Sequence, residues 1–215
     1  MTYAIVHKGR VIVGPLGWTQ KYFTDVLKIR HRITANIPGQ APEEFPYVID
    51  ENTSIYEAVE NRPEFNAMVE YHYGPQWDVA QNPAVATYEV RDIDIESARN
   101  NFKILAAHER YKKEVSGTTV AIRGIDLKLS THREAREPLV QKYVTMGDAD
   151  TVNWKFDQQW LVLTRDEVKS VIAAIDQHVQ VAFDWEAGIH TQIDATTELR
   201  ALLDIEIEPE VAPAV

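Results

Sequence analysis

The side chains of this 215-residue chain that could do acid–base, nucleophilic or metal chemistry are seven histidines, 33 carboxylates and five serines; cysteine is absent. Their spacing decides whether they can act together. The histidines (His7, His31, His72, His108, His132, His178 and His190) are scattered. His178 and His190 share a helical stretch, but twelve steps round a helix put them about 120° apart, too far to grip one metal. Glu186 and His190, four apart, would meet as a charge-assisted surface pair worth roughly 0.2–0.5 kcal/mol. The loop from Met146 to Asp150 offers Asp148 and Asp150, whereas a calcium loop needs more oxygen donors at alternate positions and a late glutamate. None of Ser54, Ser97, Ser116, Ser130 and Ser170 sits in a G-x-S-x-G elbow, and no phosphate loop, G-x-G-x-x-G or H-E-x-x-H run is present. These patterns predict no catalytic residues, no metal site and no cofactor. The expectation is a protein that is not an enzyme.

The stretch around which the other elements would be arranged is Thr164–Ala195, with Val152–Leu163 leading into it. Thr164 with Glu167 three places on is a capping box, each side chain satisfying an amide at the helix start. Val168, Val171, Ile172, Ile175, Val179, Ala182, Phe183, Ile189 and Ile193 then recur at steps of three and four, one stripe along a helix. Asp166, Lys169, Asp176, Gln180, Asp184 and Thr191 fill the other face. Upstream, Trp154, Phe156, Trp160, Val162 and Leu163 flank a polar Asp157-Gln158-Gln159 turn. They predict a hairpin whose rings, Trp154 and Trp160 included, bury against the stripe. Trp185, beside Phe183 and off the stripe, is the tryptophan best placed to anchor an interface.

The run Trp154-Lys155, Trp160–Thr164, Val168, Asp176–Glu186 and Ile193–Ala195, extended upstream through Arg110–Gly117 and Gly124–Arg136, resembles a domain of unknown function at the C-terminal end of tailed-bacteriophage tail proteins. The likeness covers roughly residues 90–207, and its most specific part is the tryptophan-to-helix segment. No catalytic residue comes with it. The resemblance implies a place, a phage tail near fibres or baseplate, rather than a reaction.

From the N-terminus, Tyr3–Val6 and Val11–Val13 flank Lys8-Gly9 as a hairpin. Thr19 is positioned to cap a helix with Tyr22, Phe23, Val26, Leu27 and Ile33 on one side. Lys28, Arg30, His31 and Arg32 crowd its last turn, either complementing the carbonyl end of the helix dipole or forming a docking patch for an acidic neighbour. Between Thr34 and Ala86, Pro38, Pro42, Pro46, Pro63, Pro75 and Pro83 predict an irregular, largely extended segment, with a short helix near Arg62–Val69. Its many large apolar residues are wrong for a flexible tether. Tyr47, Ile49, Tyr56, Tyr71, Tyr73 and Trp77 are therefore expected to supply part of a contact with another subunit, joined by Trp185, Lys28, Arg30 and Arg32.

Further on, Thr87–Val90 is strand-like, and Asp94 caps a helix through Ile95, Ala98, Phe102, Leu105 and Ala106 that Gly117 ends. Thr118–Ile122 and Ile125–Leu129 alternate about Arg123-Gly124 as another hairpin. Thr131 with Glu134 spells a second capping box, for a helix through Leu139, Val140 and Tyr143. Thr196 is positioned to cap a short helix with Leu199, Leu202 and Leu203. Glu206–Val215, acidic and carrying Pro209 and Pro213, is expected to be disordered on its own.

Hydrophobic content of 45% and charged content of 26% fit an ordinary globular chain. No apolar run approaches the roughly 20 residues of a membrane helix, and no signal-peptide plan opens the chain. Net charge is −11 and unevenly spread: residues 1–33 carry about +5, and residues 34–100 about −10. Such an acidic body argues against nucleic acid as a partner. The absence of cysteine suits assembly in a reducing cytoplasm. The expectation is an α+β protein with an N-terminal attachment portion over 1–86, an α+β domain over 87–207 and an acidic tail over 208–215. It would be a structural part of a phage virion, assembled in the host bacterial cytoplasm and bound to other tail, baseplate or fibre proteins, as a homo-oligomer or hetero-complex. The rival reading is a tail-fibre assembly chaperone absent from the particle.

Overall fold

The structure, a computed structural model, describes residues 1–156 and 159–208. It divides into two units, Met1–Ile93 and Asp94–Val215, and contains helices and strands in the manner of an α+β protein. The expected Asp157-Gln158 turn and the tail from Pro209 on lie outside the described residues.

In the N-terminal unit, β1 (Thr2–His7) and β2 (Arg10–Leu16) form the expected hairpin, with Lys8 and Gly9 at φ 50° and 74° as a two-residue turn of this hand requires. A short helix, α1 (Gln20–Asp25), follows and widens into a π-helical turn, Val26–Arg30. Thr19 precedes it but makes no side-chain cap bond. The chain then returns as β3 (Tyr47–Asp50), β4 (Thr53–Asn61), β5 (Glu70–Asp78) and β6 (Ala84–Asp92). The sheet order is β2-β1-β4-β6-β5, with β3 also on β4. β1 lines one edge of β4; β3 and then β6 share the other, β6 in parallel register with Ala58 opposite Ala84. Tyr3, Ile5, Val13 and Ile55 bury one sheet face against Phe23, Val26, Leu27 and Ile37. Trp18 and Phe45 lie on Tyr3, centroids 5.3 and 5.2 Å away.

Within the Thr34–Ala86 segment residues 34–46 carry no regular element, as expected, but from Tyr47 on the chain is regular sheet, and the expectation is corrected there. Four strands begin in it, and residues 62–69 hold a turn, closed by the Val69 and Glu70 amides on the Asn66 carbonyl, instead of a helix. The prolines stand where strands tolerate them. Pro46 and Pro83 precede β3 and β6, Pro63 follows β4, and Pro75 sits at a bulge in β5. The outer strands β2 and β5 each carry a Gly-Pro pair at a register shift, and a missing N–H costs least on an edge. Thr87–Val90, placed by sequence in the second domain, is part of β6 and belongs to this sheet.

In the C-terminal unit, α2 (Ile95–Glu114) begins at Asp94, whose carboxylate accepts the Ser97 amide at 2.9 Å. The β7 (Thr118–Ile122) and β8 (Ile125–Leu129) hairpin turns at Arg123-Gly124, and α3 (Arg133–Thr145) follows. β9 (Thr151–Phe156) pairs with β10 (Gln159–Thr164), which leads into α4 (Arg165–Ala195) through the complete Thr164–Glu167 capping box. A 3-10 turn, Arg200–Asp204, ends the described chain. Val168, Val171 and Ile175 of α4 bury with Ile122, Leu127, Leu129, Leu139, Met146, Phe156 and Leu163. α2 lies antiparallel on α4, as the Lys103–Asp194 and Arg110–Glu186 pairs require. Ala98, Ala106 and Ala182 in that seam are fully buried.

Several local expectations in this unit are corrected. Thr131 does not cap α3. Its buried hydroxyl donates to the Glu114 carbonyl and accepts the Gly117 amide, tying the end of α2 to the end of β8. Thr196 closes α4 instead of opening a helix, its hydroxyl donating to the Gln192 carbonyl at 2.8 Å. Trp160 is 66% exposed, because the register puts it on the outer face with Lys155, while Trp154, opposite Leu161, packs inward. Phe183, placed on the buried stripe by its spacing, is 45% exposed.

Candidate functional site

In the N-terminal unit the residues expected at an interface fall into four groups. Tyr47 and Ile49 pack on the core of the N-terminal unit, so they are spent within it. Tyr56 and Trp77 are half-buried on the opposite sheet face, in register with the buried small residues Ala4 and Ala86. Tyr71 and Tyr73 are exposed. Lys28, Arg30 and Arg32 are exposed at the end of the π-helical turn.

Tyr71 and Tyr73 stand on the part of β5 and β6 that runs past β4 as a two-stranded ribbon. On their face, Tyr71 pairs with Arg91 and Tyr73 with Glu89. The Arg91 guanidinium lies 3.2 Å from the Tyr73 ring centroid and 2.8 Å from Glu89, whose hydrogen bond pushes the arginine pKa up. The other face carries Phe65 on His72 at 4.3 Å, His72 on Tyr88 at 5.6 Å and Arg62 over Tyr88 at 4.4 Å. Arg62 is held by Glu60. Both faces are aromatic rings under arginines, an adhesive composition at protein surfaces. Sequence reasoning missed Arg62, Phe65, His72, Tyr88 and Arg91. The signal was there in Tyr88 and Arg91 within the strand-like stretch that became β6, but the prolines masked its pairing with β5.

On the C-terminal unit, the α2–α4 seam carries an ionic cluster. Arg110 pairs with Glu114 and, at 3.0 Å, with Glu186, and it lies 4.5 Å from the Phe183 ring centroid. Glu186 also faces His190 at 3.7 Å. Trp185 is half-buried beside this cluster in sequence. At the start of α4, Arg123 donates to Glu167 at 2.6 and 2.5 Å and to the Val162 carbonyl at 3.0 Å. Arg123, with the Thr164 amide and hydroxyl, holds the Glu167 carboxyl down at about 2. These charges are consumed in fastening helix to helix and hairpin to helix.

Among the described residues no three His, Cys, Asp or Glu side chains stand close enough to hold a metal, and no helix is long and apolar enough to cross a membrane. A hollow of about 590 Å³ beside β1 and β4 is lined by Met1, Thr2, Ala58, Val59 and Pro83 with two carboxylates, Glu57 and Glu60; the Thr2 hydroxyl donates to the Ala58 carbonyl at 2.7 Å.

The fold is that of a two-unit α+β protein. Residues 98–208 match a domain of unknown function, DUF4376. The match spans just over half the chain, and the chain belongs to that family. No curated protein and no solved structure matches it.

Proposed function

We propose that this protein is a structural component of a tailed-phage virion, at the tail tip, baseplate or fibre attachment, whose work is protein–protein assembly. The observation that carries the assembly part is the unspent surface of the N-terminal unit, an arginine-capped aromatic ribbon and a separate exposed cationic turn. Side chains of this kind form the centres of protein interfaces. The virion part rests on the likeness of Arg110–Gly117, Gly124–Arg136 and the Trp154–Ala195 stretch to phage tail proteins. The N-terminal unit attaches to the tail or to another copy, and the C-terminal unit presents Phe183 and Trp185 to a fibre or neighbouring subunit. Mass spectrometry of purified particles tests the reading. The chain is expected at stoichiometric abundance. Its absence from particles, with fibres failing to assemble when it is deleted from the producing cell, would make it an assembly chaperone instead.

A further inference from the structure

The charges of the N-terminal unit are distributed in a way that unit does not use. From Arg62 to Arg165 each of the eight arginines has a carboxylate within salt-bridge distance. Arg10, Arg30 and Arg32 have none among the described residues, and neither has Lys28, although the chain carries 33 acidic side chains. The π-helical turn explains how three of these cations are displayed. Val26 and Leu27 are buried, so the widened turn thrusts Lys28, Ile29 and Arg30 outward, followed by exposed His31 and Arg32. The turn closes with the Ile33 amide on the Leu27 carbonyl at 2.9 Å, which needs Arg32 at φ 57°, a conformation costly for any residue but glycine. Ile29, between Lys28 and Arg30 in sequence, is 75% exposed.

A second patch of the same unit is its complement. Glu43 and Glu44 are exposed and pair with no cation among the described residues, and Glu51, also exposed, accepts a hydrogen bond from the neighbouring Asn52 side-chain amide. Between them in sequence stands Val48, 64% exposed on β3, a strand paired along one edge only. One stretch sets an exposed apolar side chain among basic residues in sequence, the other sets one among acidic residues. No ion pair joins the two among the described residues.

We infer that the N-terminal unit binds a second copy of this chain head to tail, Lys28–Arg32 of one copy against Glu43, Glu44, Val48 and Glu51 of the next. The two patches differ, so the contact is heterologous and repeats into a ring or a filament. The inference deepens the assembly reading by naming one partner, and particle composition tests that reading independently.

Sedimentation of the full chain over a range of concentrations, at about 0.02 M and about 0.5 M salt, tests it. Self-association is expected at low salt and at least a tenfold weaker association at high salt. The charge-reversed chains K28E/R30E/R32E and E43K/E44K/E51K are each expected to sediment as monomers. Mixed in equal amounts they should associate again, because each altered patch then meets its complement, and recovery shows that both chains are folded. A wild-type chain that stays monomeric at low salt, a reversed chain that associates like the wild type, or a mixture that does not recover would overturn the inference. So would a monomeric wild type that retards a random-sequence DNA duplex through Lys28, Arg30 and Arg32, since the patch would then be a nucleic-acid site.

Discussion

The two units solve the same problem, covering a core with a modest number of elements, and they treat their charges in opposite ways. In the C-terminal unit ionic groups are placed where elements meet. Arg110 and Lys103 sit between α2 and α4, Arg123 between a hairpin turn and the α4 cap, and Arg136 beside Asp176 of α4. In the N-terminal unit the core is closed by rings, Tyr3, Trp18, Phe23 and Phe45. Two ion pairs of that unit, Glu60 to Arg62 and Glu89 to Arg91, join residues only two apart. Charge in the first case is used to hold the unit together; in the second it is left facing outward. A family match that begins at residue 98 falls on the inwardly satisfied unit.

The largest expected effects come from the two cores. Phe23, fully buried in the N-terminal unit, should cost about 3–5 kcal/mol on Phe23→Ala, because a ring-sized cavity opens under the sheet. Ile175→Ala on α4 should cost about 2–5 kcal/mol for the same reason. Hydrogen exchange should show each loss of protection centred on the substituted unit. Uniform loss across both would break the distinction between them. Phe183→Ala separates spacing from burial. The stripe assigns Phe183 to the core, but it is half-exposed under Arg110, so chemical denaturation should show a loss of only about 1 kcal/mol.

The Phe183 case shows what was legible in the sequence. Helix period, capping box and X-Gly hairpin turns are local, and they located α2, α4 and two hairpins close to their observed limits; the β9–β10 pair was located by its aromatic and β-branched residues. A 31-residue helix, however, passes beyond its hairpin partners, and which side of it is covered changes along its length. Spacing alone does not report that change. Of the four strands from Tyr47 to Asp92 only Thr87–Val90, a part of β6, was legible, and the rest were hidden for a different reason. Their pairing is non-local, with β6 inserted between β4 and β5, and prolines at strand ends and a bulge look locally like breakers. Of the interface residues, Tyr71, Tyr73, Lys28, Arg30 and Arg32 are on the surface. Tyr47 and Ile49 are not free, because an aromatic residue in a strand fits a core as well as an interface.

A smaller effect measures how charge fastens the C-terminal unit. Glu167 has its folded pKa near 2, below the ordinary 4.5 of a glutamate, through Arg123 first and then the Thr164 amide and hydroxyl. A depressed carboxylate contributes stability that is fully present above about pH 4.5 and is lost as pH falls toward 2. Solvent screening at a helix end limits what the shift is worth, so Glu167→Gln should cost about 1 kcal/mol at neutral pH. The deficit should shrink on acidification in urea titrations between pH 6 and about pH 2. A deficit independent of pH would mean the carboxylate acts only as a cap.

The smallest expected effect bears most directly on the contrast. Arg32 and Arg123 both hold left-handed backbone, φ 57° and 53°, where a side chain costs about 1–2 kcal/mol. Glycine would remove that cost while adding about 0.5–1 kcal/mol of unfolded-chain entropy, a net gain of about 0.5 kcal/mol where nothing else changes. For Arg32 nothing else changes within the chain, since its guanidinium has no partner among the described residues. Arg32→Gly should therefore leave the monomer slightly more stable. For Arg123 the same substitution also removes the bonds to Glu167 and the Val162 carbonyl, and the balance should turn to a loss of about 1 kcal/mol. Urea titrations of the two glycine variants, run at high salt and low concentration, check the difference in sign. If both lose stability, Arg32 has a partner inside its own chain, and the N-terminal unit fastens its charges just as its neighbour does. If only Arg123→Gly does, the arginine at position 32 carries a small cost that folding alone does not require.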